Sequence, residues 1–199
     1  MVETVPGGAF VDALAPGKSL ARDVGWVAGF AVLTALAAQA VIRLPFTPVP
    51  VTGQTFAFLL GGGLLGVRRG VLAQVVYVLM GVFGLPVFAG GSHGVLVLLG
   101  ATGGYLLGGI LASGLVGWAA ERGWLTGVWR SVLAMLAGEA AIYALGLAVL
   151  SRYVPPSRLL ADGLVPFIPG DALKLLLAAS LLPLGFRLVG RRGRAAGAP

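Results

Sequence analysis

Six long apolar runs, each bounded by proline, glycine or charge, dominate the pattern of this chain, at 24–44, 53–66, 70–88, 96–120, 129–153 and 166–189. A membrane-crossing helix takes roughly 20 apolar residues, so the pattern predicts an all-α integral membrane protein, a compact bundle of six transmembrane helices. The second run is too short to cross unaided. It is expected to tilt, to extend backwards through 49–52, or to lie buried inside the bundle. On this reading residues 1–23 form an N-terminal tail, 24–189 the membrane domain and 190–199 a basic, disordered C-terminal tail.

Composition agrees: of 199 residues 58% are hydrophobic and only 11% charged, against about a quarter charged in soluble domains. Six spans with short loops leave no room for a soluble catalytic or nucleotide-hydrolysing domain, so energy for any transport comes from another chain or an ion gradient. The absence of cysteine excludes disulfides, thiolate metal sites and thiol nucleophiles. The first 20 residues contain Glu3, Asp12 and scattered proline and glycine instead of a signal-peptide core, and read as a cytoplasmic tail.

The net charge of +7 changes the picture through its distribution. Basic residues sit in short clusters beside apolar runs and form no continuous stripe, which argues against a nucleic-acid partner. Both termini and the even-numbered loops carry Lys18, Arg22, Arg68, Arg69, Arg122, Arg130 and Arg187 onwards, whereas the odd-numbered loops carry only Arg43, Arg152 and Arg158. By the positive-inside rule both termini are cytoplasmic. Trp118, Trp124 and Trp129 fall at the same cytoplasmic level, where interfacial aromatic belts belong.

Small residues recur at four-residue spacing in Gly100, Gly104 and Gly108, then Gly109, Ser113 and Gly117, and, in the first helix, Gly25 with Gly29 and Ala31 with Ala35. Such rows let helix backbones approach closely, which is how helices associate in lipid. Most are expected to serve internal packing, while the first-helix row is a candidate partner surface.

Several motif matches fail on context. Gly61, Gly63 and Gly66 satisfy a G-x-G-x-x-G pattern inside an apolar run with no preceding strand, and Gly17-Lys18-Ser19 lacks the leading glycine of a phosphate loop. Ser92 and His93 are adjacent, a poor nucleophile and base pair, and Gly170-Asp171 has no second Gly-Asp partner for an aspartyl protease. The chain therefore reads as no enzyme, and no cofactor is implied.

What survives is a convergence of polar and flexible residues at the outer ends of the helices. Thr52 and Gln54 follow the first helix, Gly90, Gly91 and Ser92 the third, Gly103, Gly104 and Tyr105 open the fourth, and Asp171 and Lys174 open the sixth. Glycine permits close backbone approach to a ligand, and the hydroxyls and amide give directed hydrogen bonds in an apolar pocket. Three-residue spacing places Asp171 and Lys174 on one helix face, and an uncompensated charge at a helix centre costs roughly 2.5–3.5 kcal/mol. Intramembrane charges are functional candidates by default; the alternative is an ion pair serving the bundle alone. Glu139 in the fifth helix reads as a protonated buried acid, a proton site, or a carboxylate reaching the interface.

The ordered segments Val49-Pro50-Val51-Thr52-Gly53-Gln54-Thr55, Gly84-Leu85-Pro86-Val87-Phe88-Ala89-Gly90, Gly100-Ala101-Thr102-Gly103-Gly104-Tyr105 and Phe167-Ile168-Pro169-Gly170-Asp171-Ala172-Leu173-Lys174 resemble the BioY family, the biotin-binding S components of energy-coupling-factor (ECF) transporters. Gly53 and Ser92-His93 depart from its pattern. The resemblance implies a six-helix protein in a prokaryotic plasma membrane that takes up biotin from outside with a transmembrane coupling subunit and two ATPases, although some members are proposed to act alone. It implies that Lys174 meets the biotin carboxylate while Asp171 accepts a ureido N–H or holds Lys174, and that Gly25, Gly29, Ala31 and Ala35 include part of the surface for the coupling subunit.

Readings from other classes are an S component for another vitamin, a solitary proton-coupled carrier working through Glu139, and a scaffold without ligand. The charge distribution generates a direct test of orientation. Because the chain has no cysteine of its own, His93→Cys should react with an impermeant thiol reagent added outside intact cells and Arg192→Cys should not; the reverse labelling would overturn the topology.

Overall fold

The computed structural model describes residues 9–14, 17 and 19–196, with 187–196 described by backbone alone. A short helix α1 (Phe10–Leu14) precedes α2 (Leu20–Ala37), a two-residue pair of strands β1 (Val41–Ile42) and β2 (Val51–Thr52), α3 (Gln54–Val82), α4 (Val95–Leu99), α5 (Gly103–Glu121), α6 (Val128–Leu150), α7 (Leu159–Gly163) and α8 (Ile168–Ala196). Among the described residues five helices are long and apolar enough to cross a membrane. The sixth pass comes from α3, which is two helices.

Gly66 breaks α3 with φ +77° and ψ −176°, a backbone state essentially reserved for glycine. The chain reverses there. Gln54 donates to the Tyr77 hydroxyl at 2.6 Å, although a straight helix would hold residues 23 apart by about 35 Å. The arms 54–65 and 67–82 thus lie side by side, so close that a Cβ on Gly70 would fall 3.1 Å from the Gly62 Cα. At about 18 Å the first arm is too short to span a hydrocarbon core of roughly 30 Å on its own, and it is buried in the bundle, where Phe58, Leu59 and Leu65 are each at most 2% exposed. It does not extend backwards through 49–52, because Val51 and Thr52 pair with Val41 and Ile42 in antiparallel register. Glu121, at the end of α5, caps the reversal by accepting from the Val67 N–H at 2.8 Å.

Helix α5 is the centre of the bundle. Gly104 and Gly108 pack against the α6 backbone at Leu145 and Ile142, whereas Gly109 meets the Phe58 ring and Gly117 the backbone at Gly66. Two glycine rows thereby dock one helix against α6 and the α3 hairpin together, the close-contact association expected in lipid.

Boundaries differ from the hydropathy reading for identifiable reasons. Helix α2 starts at Leu20, inside the predicted tail, because Ser19 caps it by accepting from the Arg22 N–H and Asp23 sits favourably in its first turn. It stops well short of residue 44, before a segment whose Pro45, Pro48 and Pro50 cannot propagate a helix. The fourth run divides into α4 and α5 at Gly100-Ala101-Thr102. The helical backbone of α8 runs through the expected disordered tail to Ala196, since arginine and alanine propagate helices well and basic residues suit a C-terminal end. Arg192 lies among residues whose side chains are not described.

The small-residue row of α2 is also corrected. Gly25 and Gly29 are exposed, with nothing within 4 Å of an added Cβ, but Ala31 and Ala35 are buried against the bundle at 0% and 8% exposure. Six residues of helix rotate by about 240°, so the two pairs cannot share a face. Ala31 and Ala35 are internal packing positions and unavailable to a partner.

The loops after α2, α3 and α6 share one end of the bundle with β1, β2, α4 and α7, while α1 sits at the other, where Arg69 bridges Asp12 at 2.7 Å and Asp23 at 2.8 Å. Gly66→Ala should lower stability by about 1–3 kcal/mol, because the backbone state is strained for alanine and its Cβ would fall 2.6 Å from Glu121 Oε1. Gly25→Ala should stay within about 0.5 kcal/mol of the parent. Melting curves in detergent report both, and an unaffected Gly66→Ala would contradict the sharp reversal.

Candidate ligand-binding site

A cavity of about 470 Å³ opens at the end of the bundle that carries β1, β2 and α7, enclosed by the segment 43–55, the 3-10 turn after α3, and the neighbouring ends of α5, α6 and α8. The proline-rich segment forms one wall because it is tied down. Thr47 donates to the Asp162 carbonyl at 2.7 Å and Arg158 donates to the Phe46 carbonyl at 2.9 Å. Arg158 also pairs with the Asp162 carboxylate at 3.0 Å, so α7 acts as the anchor of this strap.

At the polar floor the first turn of α8 presents Asp171, and one turn on Lys174 reaches back to it. The Lys174 ammonium donates to Asp171 Oδ1 at 2.8 Å, to the Thr52 carbonyl at 2.7 Å and to Thr55 Oγ1 at 3.1 Å. An ammonium has three N–H donors, and all are engaged. Thr55 in turn donates to Asp171 Oδ1 at 3.0 Å, and the Tyr143 hydroxyl donates to Oδ2. A carboxylate offers about four acceptor positions, three of which these bonds fill, leaving one for a ligand N–H. The Asp171 side chain is 5% exposed and that of Lys174 20%. The charge is thus neutralised in place, as burial demands.

Beside it, Gln54 accepts from Thr52 Oγ1 at 2.9 Å and donates to Tyr77, which passes its own proton to the Val87 carbonyl at 3.2 Å. One amide N–H of Gln54 stays available. The walls are apolar and aromatic: Tyr105 stands edge-on to Tyr143 with centroids 6.4 Å apart, both lie near Phe167, and Phe58, Phe88 and Ile142 complete the lining. Tyr105 is held by donating to the Gly163 carbonyl at 2.8 Å.

Of the residues singled out in the sequence, Thr52, Gln54, Ser92, Tyr105, Asp171 and Lys174 line this one cavity. Gly90, Gly91, Gly103 and Gly104 do not. Gly103 packs on the Leu98 carbonyl and Gly104 on that of Leu145, while Gly90 and Gly91 adopt positive φ of 63° and 76° to turn the chain. His93 is exposed and outside the cavity, and Gly53 seats its backbone on the Ala37 carbonyl, from which a Cβ would be 2.8 Å away. Sequence reasoning missed Arg43, Phe58 and Tyr143, and marked Thr55 and Phe88 only as members of longer motifs. Tyr143 carried a faint signal, being one helical turn from Glu139 within an otherwise apolar run. Glu139 itself is 7% exposed, and its Oε1 has no hydrogen-bond partner among the described residues.

Removing one member of the pair strands the other. Asp171→Ala and Lys174→Met should each destabilise the protein, and the double variant should be more stable than the sum of the two losses by about 1–3 kcal/mol. Unfolding in mixed micelles measures this; additive losses would show two uncoupled charges.

Comparison with known proteins agrees with this architecture. The profile of the BioY family matches residues 11–191. A "Biotin transporter BioY" of Thermotoga maritima is 44% identical over 139 residues, covering 69% of this chain and 81% of that protein. One of Rhizobium etli is 34% identical over 80% of this chain and 90% of its own length, and a "Probable biotin transporter BioY" of Pyrococcus horikoshii is 36% identical over 85% and 98%. The solved structure of an S-component for biotin from an ECF-type ABC transporter shares the fold, with a TM-score of 0.73 at 24% identity over 87% of this chain and 99% of that one. With its six-pass glycine-packed bundle and a match across nearly its whole length, this multi-pass membrane protein belongs to the BioY family.

Proposed function

We propose that this protein binds biotin at the outer face of a prokaryotic plasma membrane and delivers it inward as the S component of an ECF transporter, with a transmembrane coupling subunit and two ATPases. The observation that carries this reading is the charge-neutral polar floor beneath aromatic walls. Biotin's ureido ring is uncharged and presents two N–H donors and one carbonyl acceptor. Against it stand the free acceptor position of Asp171, the Tyr143 hydroxyl oxygen and the spare N–H of Gln54. The fused thioether ring gains by leaving water for the surfaces of Phe58, Phe88, Tyr105 and Phe167.

The relatives' names support the same ligand. The coupling subunit has a candidate surface in the exposed side of α2, where Gly25 and Gly29 stand with Val32 and Leu36 at 49% and 65% exposure. Both termini are assigned to the cytoplasm on the charge bias, so that the cavity opens outward. A second reading, a solitary proton-coupled carrier, rests on the unpartnered Glu139; uptake that persists without ATPase partners and collapses with an uncoupler would favour it.

Calorimetry on the purified protein in detergent tests the ligand. Biotin should bind, desthiobiotin more weakly because it buries less apolar surface, and thiamine and riboflavin not measurably. No heat and no thermal shift at ~100 µM biotin, a concentration that corresponds to only about −5.5 kcal/mol, would overturn the reading.

A further inference from the structure

Resting on the biotin reading, we propose that Arg43, at the mouth of the cavity, is the residue that recognises the ligand's carboxylate, and that Lys174 is not.

Three charged side chains line the cavity: Arg43, Asp171 and Lys174. The last two close on each other at 2.8 Å, so the net positive charge of the site belongs to Arg43. Lys174 has no donor to spare, since its three N–H groups go to Asp171, Thr52 and Thr55. Recruiting it to an acid would dismantle the floor and bring a second carboxylate against Asp171, a like-charge pair in a poorly hydrated place.

Arg43 differs on each count. It follows directly on β1, is exposed, and has no hydrogen bond or ion pair among the described residues. The carboxylate of Asp162, on the helix to which the strap is tied, is taken by Arg158 at 3.0 Å. The Arg43 guanidinium lies over Gly90, whose missing side chain leaves room for it: a Cβ there would come within 2.7 Å of Arg43 Nη2. The strap that positions Arg43 is the one tied to α7 through Thr47 and Phe46. A planar fork of donors that is held in place but uncommitted suits bidentate capture of a carboxylate. A ligand with a neutral hydrogen-bonding ring at one end and an ionised acid at the other therefore enters ring first, with its acid left at the mouth.

Affinities of the full-length protein for biotin and for the uncharged biotin amide, measured side by side, test the assignment. The parent should prefer the acid by about tenfold, the lower end for a charged hydrogen bond because Arg43 is open to water. Arg43→Gln should lower biotin affinity by about the same factor and leave the amide unchanged, with Arg43→Lys keeping part of the preference. High salt should erode the preference in the parent and not in Arg43→Gln. Lys174→Gln should weaken acid and amide alike. A preference that survives Arg43→Gln, equal losses for both ligands in that variant, or a preference abolished by Lys174→Gln would each overturn the assignment. A parent protein that binds neither ligand would instead overturn the biotin reading on which it rests.

Discussion

A carboxylate and an ammonium held inside a membrane bundle cannot be left to solvent, and this constraint organises the cavity half of the protein. Asp171 and Lys174 are satisfied by a β2 carbonyl, a hydroxyl from the first arm of the α3 hairpin and a phenol from α6. Four separate segments are thereby fixed at one point. The same bonds exhaust the cation and leave the anion one open position, so the requirement for a stable fold and the shape of the ligand site are one set of contacts. A buried pair completed in this way adds little net stability, yet is costly to break by removing one partner.

The opposite half depends on how closely backbones can approach. Glycine does this at two levels: at Gly66 by its conformation, and along α5 by its lack of a side chain. The reversal at Gly66 converts one overlong helix into a buried short arm and its neighbour, and Glu121 satisfies the amide that the break exposes. Without the hairpin, Thr55, Gln54 and Phe58 would not stand opposite α8 and α6.

Much of this was legible in the sequence, because apolar length and small-residue spacing are physical signals in their own right. The six passes, the buried short second helix, the packing rows of α5 and the three-residue spacing of Asp171 and Lys174 all follow from such signals. Other features depend on facts that only the fold supplies. A tyrosine in an apolar run, such as Tyr143, looks the same whether it faces lipid or a carboxylate. Arg43 stood out only as a basic residue on the basic-poor side, since its neighbour Gly90 is far away in sequence. Grouping Ala31 and Ala35 with Gly25 and Gly29 overlooked the rotation between the pairs, and the glycines of the outer motifs proved to shape turns and helix contacts and not to line the cavity.

The strap over the cavity has a kinetic meaning. The stretch 44–48 is fastened to α7 by a few bonds, of Thr47 and Arg158, each contributing about 0.5–1.5 kcal/mol net, while Val49 beside it is buried against Leu150 and Phe167, so a local opening would be confined to that short stretch. Loosening these two fastenings would leave the Thr52 carbonyl on Lys174 but would free the backbone that carries Arg43. One short stretch thus bears both on how long a bound molecule would stay and on how firmly Arg43 is placed.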